Sequence, residues 1–217
     1  MIKQEVAQKI LTVGIIPVVR AASATQGMQA AEAVCAGGIP IVEMTMTVPG
    51  AIDLIAQLSI SVSEVLIGAG TVTDAETAQR CLDAGAEFLV SPGFDLEPIN
   101  LANRRGKLIM AGALTPTEVI TAWKAGSDLV KIFPCGTVGG AKYIKALKTP
   151  FPHIPMVPTG GVNLTTAPEF IEAGAAALGV GGELVSANAL ESGNTGEITD
   201  AARRFVSIVR ETRDRMR

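Results

Sequence analysis

The sequence predicts a (β/α)8 TIM barrel of the α/β class with one extra helix at its N-terminus. Two observations carry this. Short apolar runs rich in β-branched residues alternate with longer Ala-rich segments of helical character, the pattern of repeated βα units around a parallel sheet. The runs also recur evenly: eight of them end near Arg20, Thr45, Thr71, Ser91, Ala111, Phe133, Thr159 and Gly181, in steps of 25, 26, 20, 20, 22, 26 and 22 residues. Each step holds one strand and one helix with short loops and no linker, so residues 1–217 are expected to form a single barrel domain.

The elements can be justified in order. Residues 3–12 read as a helix before the first strand. Segment 25–36 ends at Gly37-Gly38, segment 74–84 starts at Asp74 and stops at Gly85, and segment 115–125 starts at Thr115-Pro116-Thr117-Glu118 and stops at Gly126. Asp or Thr at the start and Gly just past the end supply the caps that a helix lacks internally. Pro17 and Pro155 fall inside proposed buried strands, where a missing N–H is costly, so the strand limits are less sharply marked than the strand count.

Bulk properties exclude several functions. The net charge is -3, and Arg203, Arg204, Arg210, Arg213, Arg215 and Arg217 are interspersed with Glu211 and Asp214, which reads as a solvated C-terminal helix and not a nucleic-acid surface. One Tyr and one Trp leave no base-stacking face. Cys35, Cys81 and Cys135 are odd in number and widely spaced, as expected in a reducing compartment and unlike a disulfide scaffold or zinc knuckle. Cys135 follows Lys131 closely and reads either as a thiol near a site or as a spectator. With His153 as the single histidine, neither a His-based triad nor a multi-histidine metal site is available. The run Ile10–Val19 follows Lys3 and Lys9, but Thr12, Gly14 and Pro17 interrupt it, so it reads as barrel rather than signal peptide. No stretch has the length of a membrane span.

Lys131 is the most informative residue. It sits in the apolar run Asp128–Pro134, where hydrocarbon is expected. Burial disfavours the ammonium form, and a free amine attacks carbonyl carbon. An ordinary strand-end lysine reaching for solvent fits the same run. In residues 39–47, alternation puts Ile41, Glu43, Thr45 and Thr47 on one face and Val42, Met44 and Met46 on the other, so Glu43 points to the barrel axis. Lys131 shares its face with Leu129 and Phe133, Arg20 with Val18 and Ile16, and Thr71 with Ala69 and Ile67. Two inward charges of opposite sign suggest a shared site at the carboxyl ends of the strands, although a structural ion pair accounts for Glu43 equally well. Gly160-Gly161 and Gly181-Gly182 follow the seventh and eighth strands, where many barrels grip phosphate with bare amides, and Glu183 next to them should then point away.

The runs 14–20 (GIIPVVR), 41–45 (IVEMT), 68–72 (GAGTV), 91–93 (SPG), 131–134 (KIFP) and 158–162 (PTGGV) together resemble the 2-keto-3-deoxy-6-phosphogluconate (KDPG) and 4-hydroxy-2-oxoglutarate (KHG) aldolases, from about residue 10 to 209. The resemblance implies a class I aldolase with Lys131 as Schiff-base lysine and Glu43 as acid/base. It implies that Thr71 contacts the pyruvate end and that Pro92, Phe133 and Thr159 shape the pocket. It further implies a cytoplasmic homotrimer of carbohydrate metabolism, in the Entner–Doudoroff route, that needs no metal or other cofactor. Its partners would be a 2-keto-3-deoxy sugar acid phosphate, pyruvate and an aldehyde, with no nucleic acid and no membrane. Two departures stand out. Some members carry an arginine for the pyruvate carboxylate where this chain has Thr47, which passes that role to Arg20 or to backbone amides, and many have serine where this chain has Gly182. The galactonate-epimer aldolases, a sugar-phosphate isomerase or synthase without a Schiff base, and a metabolite-binding barrel stay open as alternatives.

Overall fold

A computed structural model describes residues 1–61 and 65–217. The chain runs α1 (Lys3–Val13), β1 (Ile15–Val19), α2 (Ala24–Ala36), β2 (Ile41–Thr45), α3 (Ala51–Ser61), β3 (Leu66–Gly70), α4 (Ala75–Asp83), β4 (Phe88–Val90) and α5 (Leu96–Arg104). It continues through β5 (Leu108–Ala113), α6 (Pro116–Lys124), β6 (Leu129–Ile132), a 3-10 turn (Gly136–Val138), α7 (Ala141–Lys148) and β7 (Met156–Pro158). The last elements are α8 (Ala167–Glu172), β8 (Leu178–Val180), α9 (Ala187–Glu191) and α10 (Thr195–Arg215). All strand pairs are parallel and neighbours in sequence, with β1 also pairing β8. The bridge Thr159↔Gly179 and the bond from Ala176 N to Met156 O join β7 to β8, so the sheet is a (β/α)8 barrel.

The helix boundaries follow the cap chemistry in the sequence. Asp74 accepts from Thr77 N at 2.7 Å to open α4, and Thr115 with Glu118 forms a reciprocal capping box at the start of α6. Gly85 and Gly126, at φ of 101° and 97°, then turn the chain back in a conformation that a Cβ would resist. Pro17 is accommodated for a specific reason. Leu178 N donates to Gly14 O, which directs the even-numbered residues of β1 toward β8, and the ladder to β2 begins at Val18↔Glu43. The missing N–H of Pro17 therefore faces β2, whose ladder with β1 starts only beyond it, at Val18↔Glu43. Pro155 lies immediately before β7, not within it.

Helix α1 closes the floor. It packs on both β1 and β5, opposite sides of an eight-stranded barrel, and buries Val6 and Ile10. Its start is tied to residues that precede strands, the N-terminal amine to Glu87 at 3.6 Å and Lys3 to Asp128 at 2.9 Å. With α1 across this mouth, the other mouth lies at the carboxyl ends of the strands.

Candidate active site

Register shows which side chains share the axis. Val18, Glu43, Gly68, Phe88 and Leu108 lie side by side, as do Gly112, Lys131 and Val157. The sequence assignment for β2 holds: Glu43 is axial, while Met44 lies against Gly27 and Leu54 and Met46 against Cys81, all from helices. The assignment for β3 needs correction. Ala69 is in register with Met44 and so lies on the helix face, leaving Gly68 and Gly70 on the axial face. Thr71 follows at φ of 60°, outside the extended region, so alternation no longer dictates its direction.

Lys131 and Glu43 meet in the barrel. Lys131 Nζ lies 3.7 Å from Glu43 Oε1, and both side chains are almost wholly buried, 4% and 3% exposed. That separation is an ion pair beyond hydrogen-bond reach. Glu43 Oε1 has no hydrogen-bond partner among the described residues. A buried oxygen is seldom left in that state. The Phe133 ring lies beneath the amine, 5.4 Å from Nζ to its centroid. The chain then leaves β6 through a cis Phe133–Pro134 bond.

A cavity of about 150 Å³ opens above Phe133, bounded by Arg20, Thr159 and the glycine loops after β7 and β8. Among the described residues, the amides of Gly161, Gly182 and Glu183 donate to no acceptor. Three bare N–H groups and an exposed guanidinium belong to residues lining this cavity, a donor set of the kind that suits an anion. Arg20 Nη1 is 3.8 Å from the point where a side chain on Gly181 would begin, which puts this cation at the phosphate-type loops. Glu183 is exposed, so its carboxylate is free to stay in water.

Pro92 is brought in by a device that alternation does not reveal. A Cβ on Gly112 would collide with the backbone of Pro92 and Gly93, and Gly112 is the register partner of Lys131. Ser91 secures this fold-over, with Oγ donating to Gly93 O at 2.6 Å and accepting from Gly112 N at 3.2 Å. Thr159 likewise has its hydroxyl seated where Gly179 has no side chain. Ser91 and Gly112 place the candidate site residue Pro92, and a search for charged groups passes over them. Glycine inside an apolar strand run is the available signal, because it weakens a strand and marks close approach.

Thr47 is exposed at the end of β2 and is oriented by its neighbour. Thr45 donates its one hydroxyl proton to Val19 O at 2.8 Å, so in the 2.7 Å contact between Thr45 and Thr47 the donor is Thr47. Thr47 is left with lone pairs only, which do not attract a carboxylate. Cys135 is a spectator: it is fully buried, its thiol is pushed up to about 12 by burial, and it faces Gly140 O at 3.7 Å.

The family model "KDPG and KHG aldolase" matches residues 6–201. The KHG/KDPG aldolase of Escherichia coli is 34% identical over 203 residues, 92% of this chain and 94% of that protein. A solved native KDPGal structure superposes with a TM-score of 0.84 at 30% identity, covering 92% of this chain and 96% of that one. The KDPG aldolase of Legionella pneumophila, solved with pyruvate captured as a covalent carbinolamine, superposes with a TM-score of 0.83 at 28% identity over 91% of this chain and 96% of that one. Fold, matched length and identity agree, and the chain belongs to the KDPG and KHG aldolase family of carbon–carbon lyases.

Proposed function

We propose that this chain is a class I aldolase that cleaves KDPG to pyruvate and glyceraldehyde 3-phosphate, working as a single-domain barrel. The observation that carries the reading is the buried Lys131–Glu43 pair with an unpartnered carboxylate oxygen. The carbinolamine captured in the Legionella relative supports the same covalent route here.

The C3–C4 bond breaks only if the electrons left on C3 have a sink, and an iminium at C2 supplies one. The amine of Lys131 attacks the C2 ketone, and Glu43 shuttles the protons that let the hydroxyl leave as water. Glu43, directly or through one water, takes the C4 hydroxyl proton, the C3–C4 bond cleaves, and the aldehyde departs. Glu43 returns a proton to C3 of the resulting enamine, and hydrolysis frees pyruvate and the amine. Thr71 contacts the pyruvate end, while Pro92, Phe133 and Thr159 shape the space around C4. Arg20 serves the distal anion, because its guanidinium lies over the Gly181 loop. The pyruvate carboxylate is left to backbone amides, since the proton of Thr47 is committed to Thr45.

The bare amides at Gly161, Gly182 and Glu183, joined by Gly160 and Gly181 in the same loops, favour phosphorylated substrates. KHG, which yields pyruvate and glyoxylate, is then the slower substrate. The galactonate epimer of KDPG differs only in one hydroxyl configuration and is the second reading, favoured by the likeness to the KDPGal structure. Pyruvate with borohydride, followed by mass spectrometry, should leave a stable adduct on Lys131. An unmodified but active enzyme would instead mean a mechanism without a Schiff base. Coupled pyruvate-release assays on the three compounds rank the substrates. Family resemblance also supports a cytoplasmic location and a homotrimer, and sedimentation checks the trimer.

A further inference from the structure

Gly70, the last residue of β3, has no side chain of its own, and Glu43 occupies the space where one would be. A Cβ built on Gly70 would lie 2.6 Å from Glu43 Cγ, 2.7 Å from Cδ and closer still to Oε1. Oε1 is also the oxygen that faces Lys131 at 3.7 Å and, among the described residues, lacks a hydrogen-bond partner. Among the described residues no hydrogen bond holds this oxygen, so its place is set by the ion pair with Lys131 and by packing. Gly70 is in register with Thr45, one axial position beyond Glu43, so the carboxylate leans along the axis and rests against the bare backbone of β3.

The same arrangement recurs around the mouth. Gly112 makes room for Pro92 and Gly179 for the Thr159 hydroxyl. Glycine in a strand interior weakens the strand, and here each one admits a candidate site residue. The Gly70 socket differs from the other two in receiving a group that would carry protons.

We propose that Gly70 is a positioning residue: the missing side chain sets where the Glu43 carboxylate sits relative to Lys131, and therefore the rate of proton transfer. This rests on the reading of Glu43 as the acid/base. With alanine at position 70, the oxygen must retreat by roughly 1 Å or the strands must part, and misplacement on that scale costs on the order of 10²-fold in rate. Substrate binding through Lys131 and the glycine loops involves other residues and is left largely intact.

The test combines exchange kinetics with a double-mutant cycle. In D2O, exchange of the pyruvate methyl protons reports enamine formation without any aldehyde. Gly70→Ala should slow this exchange by on the order of 10²-fold, with KM for pyruvate within about threefold of wild type. Gly70→Ala should also lower the urea midpoint when Glu43 is present and leave it unchanged in a Glu43→Ala background, where the new methyl fills vacated space. If Gly70→Ala alone fails to fold, a folded Glu43→Ala/Gly70→Ala protein still identifies the carboxylate as the obstacle. Wild-type exchange rates in Gly70→Ala would overturn the proposal, as would an equal loss of urea midpoint in both backgrounds. A wild-type protein that exchanges no pyruvate protons would overturn the aldolase reading and the positioning role with it, while the urea cycle would still report the packing.

Discussion

At residue scale, the proposed chemistry rests on two side chains, Lys131 and Glu43. Lys131→Met retains the hydrocarbon and removes the nucleophile, so cleavage and borohydride labelling should both be lost from a protein with an unchanged circular dichroism spectrum. Glu43→Gln should lower kcat on the order of 10²–10⁴-fold, the usual loss for a general acid/base, while leaving Lys131 able to form an adduct slowly. Among the described residues Thr71 carries the one positive φ outside glycine, 60°, and for a β-branched residue that conformation is strained. Thr71→Gly should therefore raise stability by about 1 kcal/mol in urea titrations and reduce turnover, a trade expected where strain serves a site. Lys131 and Glu43 were legible because charge inside an apolar strand is rare. The directions of Thr71 and Thr47 were not, because one depends on a backbone angle and the other on a hydroxyl relay to Val19 O.

At element scale, the helices were readable from their ends. Thr115 accepts from Glu118 N at 3.3 Å, and Glu118 accepts from Thr115 N and Leu114 N at 2.8 Å each. Those backbone donors hold the Glu118 carboxyl below its ordinary value. A depressed folded value means that its stabilisation is complete above the unfolded carboxylate range and is lost as pH falls through the folded value. The destabilisation of Glu118→Gln should accordingly be present at pH 7 and shrink on acidification toward pH 3, as followed by thermal melts. Thr115→Ala should lower stability by about 1 kcal/mol. The strands were readable in number and period, but β3 shows the limit. The run Gly68–Thr71 contains two small axial residues that carry no hydrophobic contrast, so its inward face emerged only from register with β2.

At the scale of the whole molecule, α10 fastens the barrel seam. Arg213 donates to Thr12 O at 2.7 Å, Leu11 O at 2.9 Å and Ala176 O at 3.3 Å, joining the end of α1 to the approach of β8. Without the guanidinium, these carbonyls, of which those of Leu11 and Ala176 are half-buried, lose their donor. Arg213→Met should lower unfolding free energy by about 1–3 kcal/mol in urea titrations, with kcat per folded molecule unchanged because the site lies at the other mouth.

The amino-acid sequence by itself determined the eight βα units, the helix caps and the two charged residues of the site, because period, cap chemistry and inward charge are local properties of the chain. Only the tertiary structure decided that Lys131 and Glu43 meet, that Arg20 stands at the glycine loops, and that Glu43, Pro92 and Thr159 occupy the room left by Gly70, Gly112 and Gly179. Those facts depend on strand register and barrel closure, which bring all eight strands together between Ile15 and Val180 and which no local pattern encodes.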